Sequence, residues 1–171
     1  MLILGTMKVV LNIVWLFILL HADVVFAQPT DEMQYFIGKW DVQLMFSSNK
    51  TNKPDVKATW EIEKGLDSAF CLLGHVYIKK AIFTRETIVY NTTTKEYIRN
   101  VITNDGSYFV FTTKGWQGNN LLWTGIQYSK DTVSIQENIT RINKKEFRVI
   151  YFRMQDGYWE QANREIVKKL K

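Results

Sequence analysis

Gly38-Lys39-Trp40-Asp41-Val42-Gln43-Leu44-Met45-Phe46 is the stretch that decides the fold. In an extended backbone Trp40, Val42, Leu44 and Phe46 fall on one side, and Lys39, Asp41 and Gln43 on the other. Apolar and polar residues alternating with a period of two mark a half-buried β-strand. Val56–Glu63 repeats the pattern, setting Val56, Ala58, Trp60 and Ile62 against Lys57, Thr59, Glu61 and Glu63. Further strands are expected at Phe70–Ile78, Ile82–Tyr90, Tyr97–Thr103, Tyr108–Thr113, Leu121–Tyr128, Thr132–Thr140, Phe147–Met154 and Tyr158–Lys168. The breaks carry turn chemistry, among them Lys64-Gly65-Leu66-Asp67, Asn91-Thr92-Thr93-Thr94, Asn104-Asp105-Gly106 and Gln155-Asp156-Gly157. Asp-Gly between alternating runs is a strong hairpin signal, because glycine accepts the positive φ such turns need.

Ten short strands with no helix between them point to an antiparallel sandwich or barrel, and the short connections favour an up-and-down meander. Closing the meander removes exposed edges and can enclose a small ligand. One short helix precedes it: Thr30-Asp31-Glu32 supplies a cap and acids suited to a helix start, Met33, Tyr35, Phe36 and Ile37 supply the apolar residues, and Gly38 ends it. The expected fold class is all-β, a single barrel domain over residues 28–171.

The composition agrees. In 171 residues, 46% apolar and 23% charged, the chain has enough apolar surface for a globular core. Its single cysteine, Cys71, excludes an internal disulfide and any multi-cysteine metal site. The apolar context Ala69-Phe70-Cys71-Leu72-Leu73 reads as a buried, inert thiol.

Residues 1–27 read as a cleaved signal peptide. Lys8 precedes an apolar run from Val9 to Leu20, and Val25-Phe26-Ala27 offers a small-residue cleavage site before Gln28. Met7 is an alternative start, directly before Lys8. A membrane anchor is the competing reading, but the run has 12 residues against the roughly 20 a spanning helix needs. The chain is therefore expected to be exported, periplasmic or extracellular, with no stable membrane span after cleavage. Lys8 and Asp23 cancel, so removing the segment keeps the net charge at +5.

The ordered motifs Phe36-Ile37-Gly38-Lys39-Trp40, Trp60-Glu61-Ile62-Glu63-Lys64-Gly65-Leu66-Asp67, Val89-Tyr90-Asn91, Asn104-Asp105-Gly106, Leu122-Trp123-Thr124-Gly125 and Asp156-Gly157-Tyr158-Trp159 carry a family resemblance. Over residues 33–168 the chain resembles the domain of unknown function 1579 family, within the lipocalin-like calycin barrels. The family's usual Tyr-Asp turn is Tyr90-Asn91 here. The resemblance implies structural roles for Gly38, Trp40 and Arg164, with Arg164 of the last strand packed on Trp40 at the barrel's closed end. It implies no catalytic residue.

Other constellations are weaker. His75 is the only histidine after the expected cleavage and is a candidate haem ligand. About 13 Å of strand separates it from Cys71, so the two form no local dyad. Glu61 and Glu63 share a strand face, as a glycosidase pair would, but their alternation with Trp60 and Ile62 reads as a solvated outer face. Arg164, Lys168, Lys169 and Lys171 suit an anionic surface, or simply discourage edge pairing. No RNA-binding motif appears, so nucleic acid is not an expected partner. Asn49, Asn91 and Asn138 head glycosylation sequons.

The aromatic residues leave open whether the barrel is filled or hollow. The leading expectation is a non-catalytic barrel binding a small, mostly apolar molecule, with Trp60, Trp123 and Tyr128 as cavity walls and no cofactor or metal. The alternatives are a filled barrel that presents its outer surface to a protein partner or an anionic envelope component, and an enzyme, which would need His75 to point inward. N-terminal sequencing of the exported protein is expected to begin at Gln28. An uncleaved chain held in the membrane fraction would show an anchor instead.

Overall fold

The computed structural model describes residues 30–48, 51, 53–65 and 71–171. The expected signal peptide, its cleavage point at Ala27/Gln28, and Asn49, Leu66, Asp67 and Phe70 lie outside the described residues. A one-turn helix α1 (Thr30–Met33) and a 3-10 turn (Gln34–Phe36) lead into β1 (Gly38–Phe46), β2 (Val56–Lys64), β3 (Cys71–Ile78), β4 (Ala81–Asn91), β5 (Glu96–Thr103) and β6 (Tyr108–Thr113). Then come β7 (Trp116–Gln117), β8 (Asn120–Tyr128), β9 (Thr132–Asn143), β10 (Glu146–Gln155) and β11 (Tyr158–Lys169). All pairings are antiparallel between sequence neighbours, with two additions that close the sheet on itself. β1 pairs with β11, and β6 pairs with β8 past the two-residue β7. The result is a closed ten-strand up-and-down barrel.

Alternation sorts side chains to the two faces, and directly paired residues share a face. Where both phases of a strand are apolar, the register resolves them: Tyr97, Val101 and Phe109 point in, while Ile102 and Tyr108 are exposed. The hairpins use left-handed residues. Asp156 and Gly157 have φ of 51° and 84°, as expected for Asp-Gly. Lys79 and Lys80 turn β3 into β4 with φ of 50° and 69°, a conformation that costs non-glycine residues about 1–3 kcal/mol each. Asn91 Oδ1 accepts the N–H groups of Thr93 and Thr94, closing the β4–β5 turn. Asn138 is exposed midway along β9.

One end of the barrel is plugged. Met33 and Phe36 are buried under the helical segment, and Trp40 Nε1 donates to Phe36 O at 2.7 Å. Phe36, Trp40, Trp60 and Phe147 meet edge to face or tilted, with ring centroids 5.0–6.0 Å apart. Each large apolar side chain buried there contributes about 2–3 kcal/mol before ordering costs. Trp116 ties the helix to β7, its Nε1 donating to Glu32 O at 3.1 Å. Arg141 lies 4.1 Å from the Tyr35 ring centroid and 4.0 Å from that of Trp116, a doubled cation–π contact.

Two expectations need correction. Arg164 is not the partner of Trp40: it stands opposite Met45, five rungs from Trp40 and exposed on the outer phase. The residue opposite Trp40 is Lys169, whose Nζ lies 5.1 Å from the ring centroid and donates to Ile37 O at 2.9 Å. Gly38 makes room for that lysine. Its φ is +128°, and an added Cβ would stand 2.9 Å from Lys169 Cε. Cys71 is half-buried on the outer phase of β3 rather than fully buried, packed on Gly65.

Lys169→Met should therefore lower stability by about 1 kcal/mol, and Arg164→Met by less than about 0.5 kcal/mol. Urea unfolding midpoints check this, and the opposite ranking would restore Arg164 to the closed end.

Candidate ligand cavity

Beyond the plug, toward the open end, the barrel is hollow. The cavity has a volume of about 280 Å³. Its walls are mostly aliphatic and aromatic, with Val42, Leu44, Val101, Phe109 and Val149 typical. Several inward positions nevertheless carry charge.

Glu86 on β4 and Arg99 on β5 both point inward, as does Glu137 on β9 across the barrel. Arg99 Nε donates to Glu86 Oε2 at 2.6 Å, and its Nη1 donates to Glu137 Oε2 at 2.6 Å. The other Glu86 oxygen accepts the Trp60 indole N–H. Side-chain exposure is 1% for Glu86 and 14% for both Arg99 and Glu137. Burial works against the Arg99 charge, but Glu137 and Glu86 outweigh it and hold the guanidinium pKa above its ordinary value. The guanidinium carbon also lies 5.8 Å from the Trp60 ring centroid and 5.4 Å from that of Phe111. Gly74, paired with Glu86, is required by this cluster: a Cβ there would run into the Glu86 carboxylate, 2.5 Å from its Cγ.

Other polar groups in the cavity are not satisfied. Glu137, Tyr151 and Asn163 form one rung across β9, β10 and β11, and Glu165 stands one inward position nearer the plug on β11. Tyr151 is only 9% exposed; its hydroxyl makes no well-formed hydrogen bond among the described residues, but the Arg153 guanidinium lies beside it and works against the rise that burial imposes on its pKa. Asn163 Oδ1 is unpartnered among the described residues. Glu165 makes no ion pair or hydrogen bond among the described residues. Burial, with Glu137 adding and Arg99 opposing, pushes its carboxyl up to about 7. The Tyr151 hydroxyl is pushed up to about 12, by burial first and Glu137 second. Arg153, one inward position nearer the mouth, faces Glu160 across the β10–β11 hairpin.

The residues singled out in the sequence scatter. Trp60 lines the cavity. Trp123 points inward but is 1% exposed and sealed in the packed core. Tyr128 lies on the outside, 43% exposed, its ring 6.0 Å from that of Tyr108. His75 pairs with Glu61 and Arg85 on the outward phase, so it cannot hold a haem inside the barrel. Glu61 sits on the outer face, 2.9 Å from Lys39. Glu86, Arg99, Glu137 and Glu165 were legible only as charges in phase with apolar neighbours, such as Glu137 between Ile135 and Ile139. Among the described residues no group of His, Cys, Asp and Glu is placed to hold a metal ion, and no helix is long and apolar enough to cross a membrane.

No protein-family model and no curated sequence matches the chain. The chain is similar to a solved structure, EF1p2_mFAP2b bound to DFHBI, at 13% identity and a TM-score of 0.41, over 84% of this chain and 100% of that one. A likeness that loose carries no argument about a ligand.

Glu165 gives a pH signature. Its carboxyl is raised from 4.5 to about 7, so between those values the folded state holds a proton that the unfolded state releases. Its contribution to stability is full below about pH 4.5 and is lost as pH rises through about 7, by at most about 1.4 kcal/mol per unit. Glu165→Gln should remove that loss, so the difference in stability between variant and wild type should move in the variant's favour from pH 5 to pH 8. Parallel profiles in urea titrations would show that Glu165 does not keep its proton toward neutral pH.

Proposed function

We propose that this protein is an exported, lipocalin-like barrel, akin to the domain of unknown function 1579 family, that binds a small molecule in the cavity beneath its open end and catalyses no reaction. A closed barrel is compatible with small-molecule binding, and the observation that carries the reading is the cavity itself: enclosed by apolar walls, blocked at one end by the helical plug, and furnished with a few polar groups. Apolar walls supply affinity by burial, and a few placed polar groups orient a ligand. Buried polar atoms in folded proteins nearly always have partners, so Asn163 Oδ1 is what a ligand or ordered water would satisfy. The aromatic–aliphatic lining supports the apolar body expected of the ligand.

A second reading has one observation in its favour. Ile102, Tyr108 and Tyr128 form an outward row across β5, β6 and β8, all exposed, which suits a protein partner on the outer surface.

The test is native mass spectrometry of the exported protein, followed by titration with the neutral apolar probe N-phenyl-1-naphthylamine. The expected result is one small molecule, or one probe, per chain. If neither is held and Trp60 fluorescence does not respond, the cavity is not a binding site and the outer row becomes the place to search.

A further inference from the structure

The cavity is enclosed, but its polar groups are not balanced, and the imbalance has a sign. Three inward carboxylates, Glu86, Glu137 and Glu165, meet one guanidinium, Arg99, in the deeper part of the barrel. Arg99 is committed to Glu86 and Glu137. That leaves Asn163 Oδ1 unpartnered among the described residues, and the Glu165 carboxylate and the second Glu137 oxygen without a cation of their own in the ion pairs described. They are neighbours, because the β9–β10–β11 register sets Glu137, Tyr151 and Asn163 side by side and Glu165 one inward position deeper. The Tyr151 hydroxyl lies in the same row, nine-tenths buried, with Arg153 beside it. A surplus of acceptors in a low-dielectric pocket calls for an occupant that brings hydrogen-bond donors and positive charge.

We infer that the cavity, taken as the binding site proposed above, accepts a small organic cation: a protonated amine on an apolar body, its nitrogen held among Glu165, Glu137, Asn163 and Tyr151. A metal ion is a poorer occupant, because no described group of acidic side chains has metal-holding geometry. An anion is poorer still. Among the described residues the one cavity cation outside the Arg99 cluster is Arg153, beside the Tyr151 hydroxyl toward the mouth and paired in register with Glu160, and an anion reaching past it would meet Glu137 and Glu165.

The groups facing the nitrogen are Glu86 on β4, Arg99 on β5, Glu137 on β9, Tyr151 and Arg153 on β10, and Glu165 on β11, with apolar Leu44 of β1 beside Glu165. Burial pushes the Glu165 carboxyl up to about 7, so its proton is exchanged near neutral pH. An ammonium entering the site displaces that proton, so affinity rises with pH. Between pH 6 and pH 8 the change is about tenfold, as expected for one carboxyl titrating near 7.

The experiment is calorimetric titration of the purified protein with three probes of one shape and different charge: n-octylammonium, 1-octanol and octanoate. At pH 8 octylammonium is expected to bind at least about tenfold more tightly than octanol, with octanoate weakest. Glu165→Gln should erase the ammonium preference and its pH dependence, bringing octylammonium affinity down to that of octanol for the same variant. Matching near-ultraviolet circular dichroism for variant and wild type would exclude misfolding as the cause. Octanol or octanoate binding as well as the ammonium would overturn this inference and leave the small-molecule reading standing. If none of the three binds, and N-phenyl-1-naphthylamine does not bind either, both fail.

Discussion

Inside the barrel, Arg99 of β5 bonds Glu86 of β4 and Glu137 of β9 on the opposite wall. A buried ion pair of this kind is weak evidence of net stability, because desolvating the charges offsets their attraction. Its consequence is register. A one-residue slip of β4, β5 or β9 would turn its member of the cluster to the outside and leave the others buried without a counter-charge, at a cost of several kcal/mol. Gly74 belongs to the same constraint, since any side chain there would displace the Glu86 carboxylate and with it the Trp60 bond. The strands between them are thereby held in one alignment.

The cluster also divides the interior. On the plug side, Phe36, Trp40, Trp60 and Phe147 fill the space with interlocking rings, and Lys169 and Arg141 close it with cation–π contacts. On the other side no element among the described residues covers the strands, and the cavity reaches toward the Leu44, Ile78 and Thr103 ends. The choice between a filled and a hollow barrel therefore has a divided answer. One half is a packed core that stabilises the fold, and the other half is left open by the absence of a second plug. Trp60 sits on the boundary, contributing its ring to the core and its N–H to Glu86.

How much of this the sequence displays depends on period. Nine of the strand positions read from alternation match the observed elements to within two residues at each end, because a mostly apolar face recurs along them; β9 alone runs three residues past Thr140. Asp156-Gly157 announces its hairpin by residue type, whereas Lys79-Lys80 does not, since lysine has no preference for positive φ and the turn is imposed by the strands around it. Aromatic residues were ambiguous for a different reason: Trp123 and Tyr128 lie on one strand, but five residues apart they take opposite faces. Arg164 and Lys169 differ in the same way, and only the β1–β11 register decides which meets Trp40. The interior charges are the largest gap. Glu137 stands between Ile135 and Ile139 in its inward phase, and an isolated charge there looks like noise until Arg99, three strands further round the barrel, is seen to face it.

Those charges are also the strongest reason to regard the cavity as more than a packing fault. A void that served nothing would be lined like any core, since replacing buried ionic groups by apolar ones of similar volume is commonly neutral or stabilising. Here the lining places a carboxylate and a phenol beside an amide oxygen that has no partner among the described residues. Without an occupant the protein tolerates this arrangement by keeping a proton on Glu165, the least costly counter-charge available to a buried acid. A proton and a bound cation are then alternatives for the same negative site. The carboxyl that makes the empty barrel sensitive to pH is the one that would give the filled barrel its selectivity.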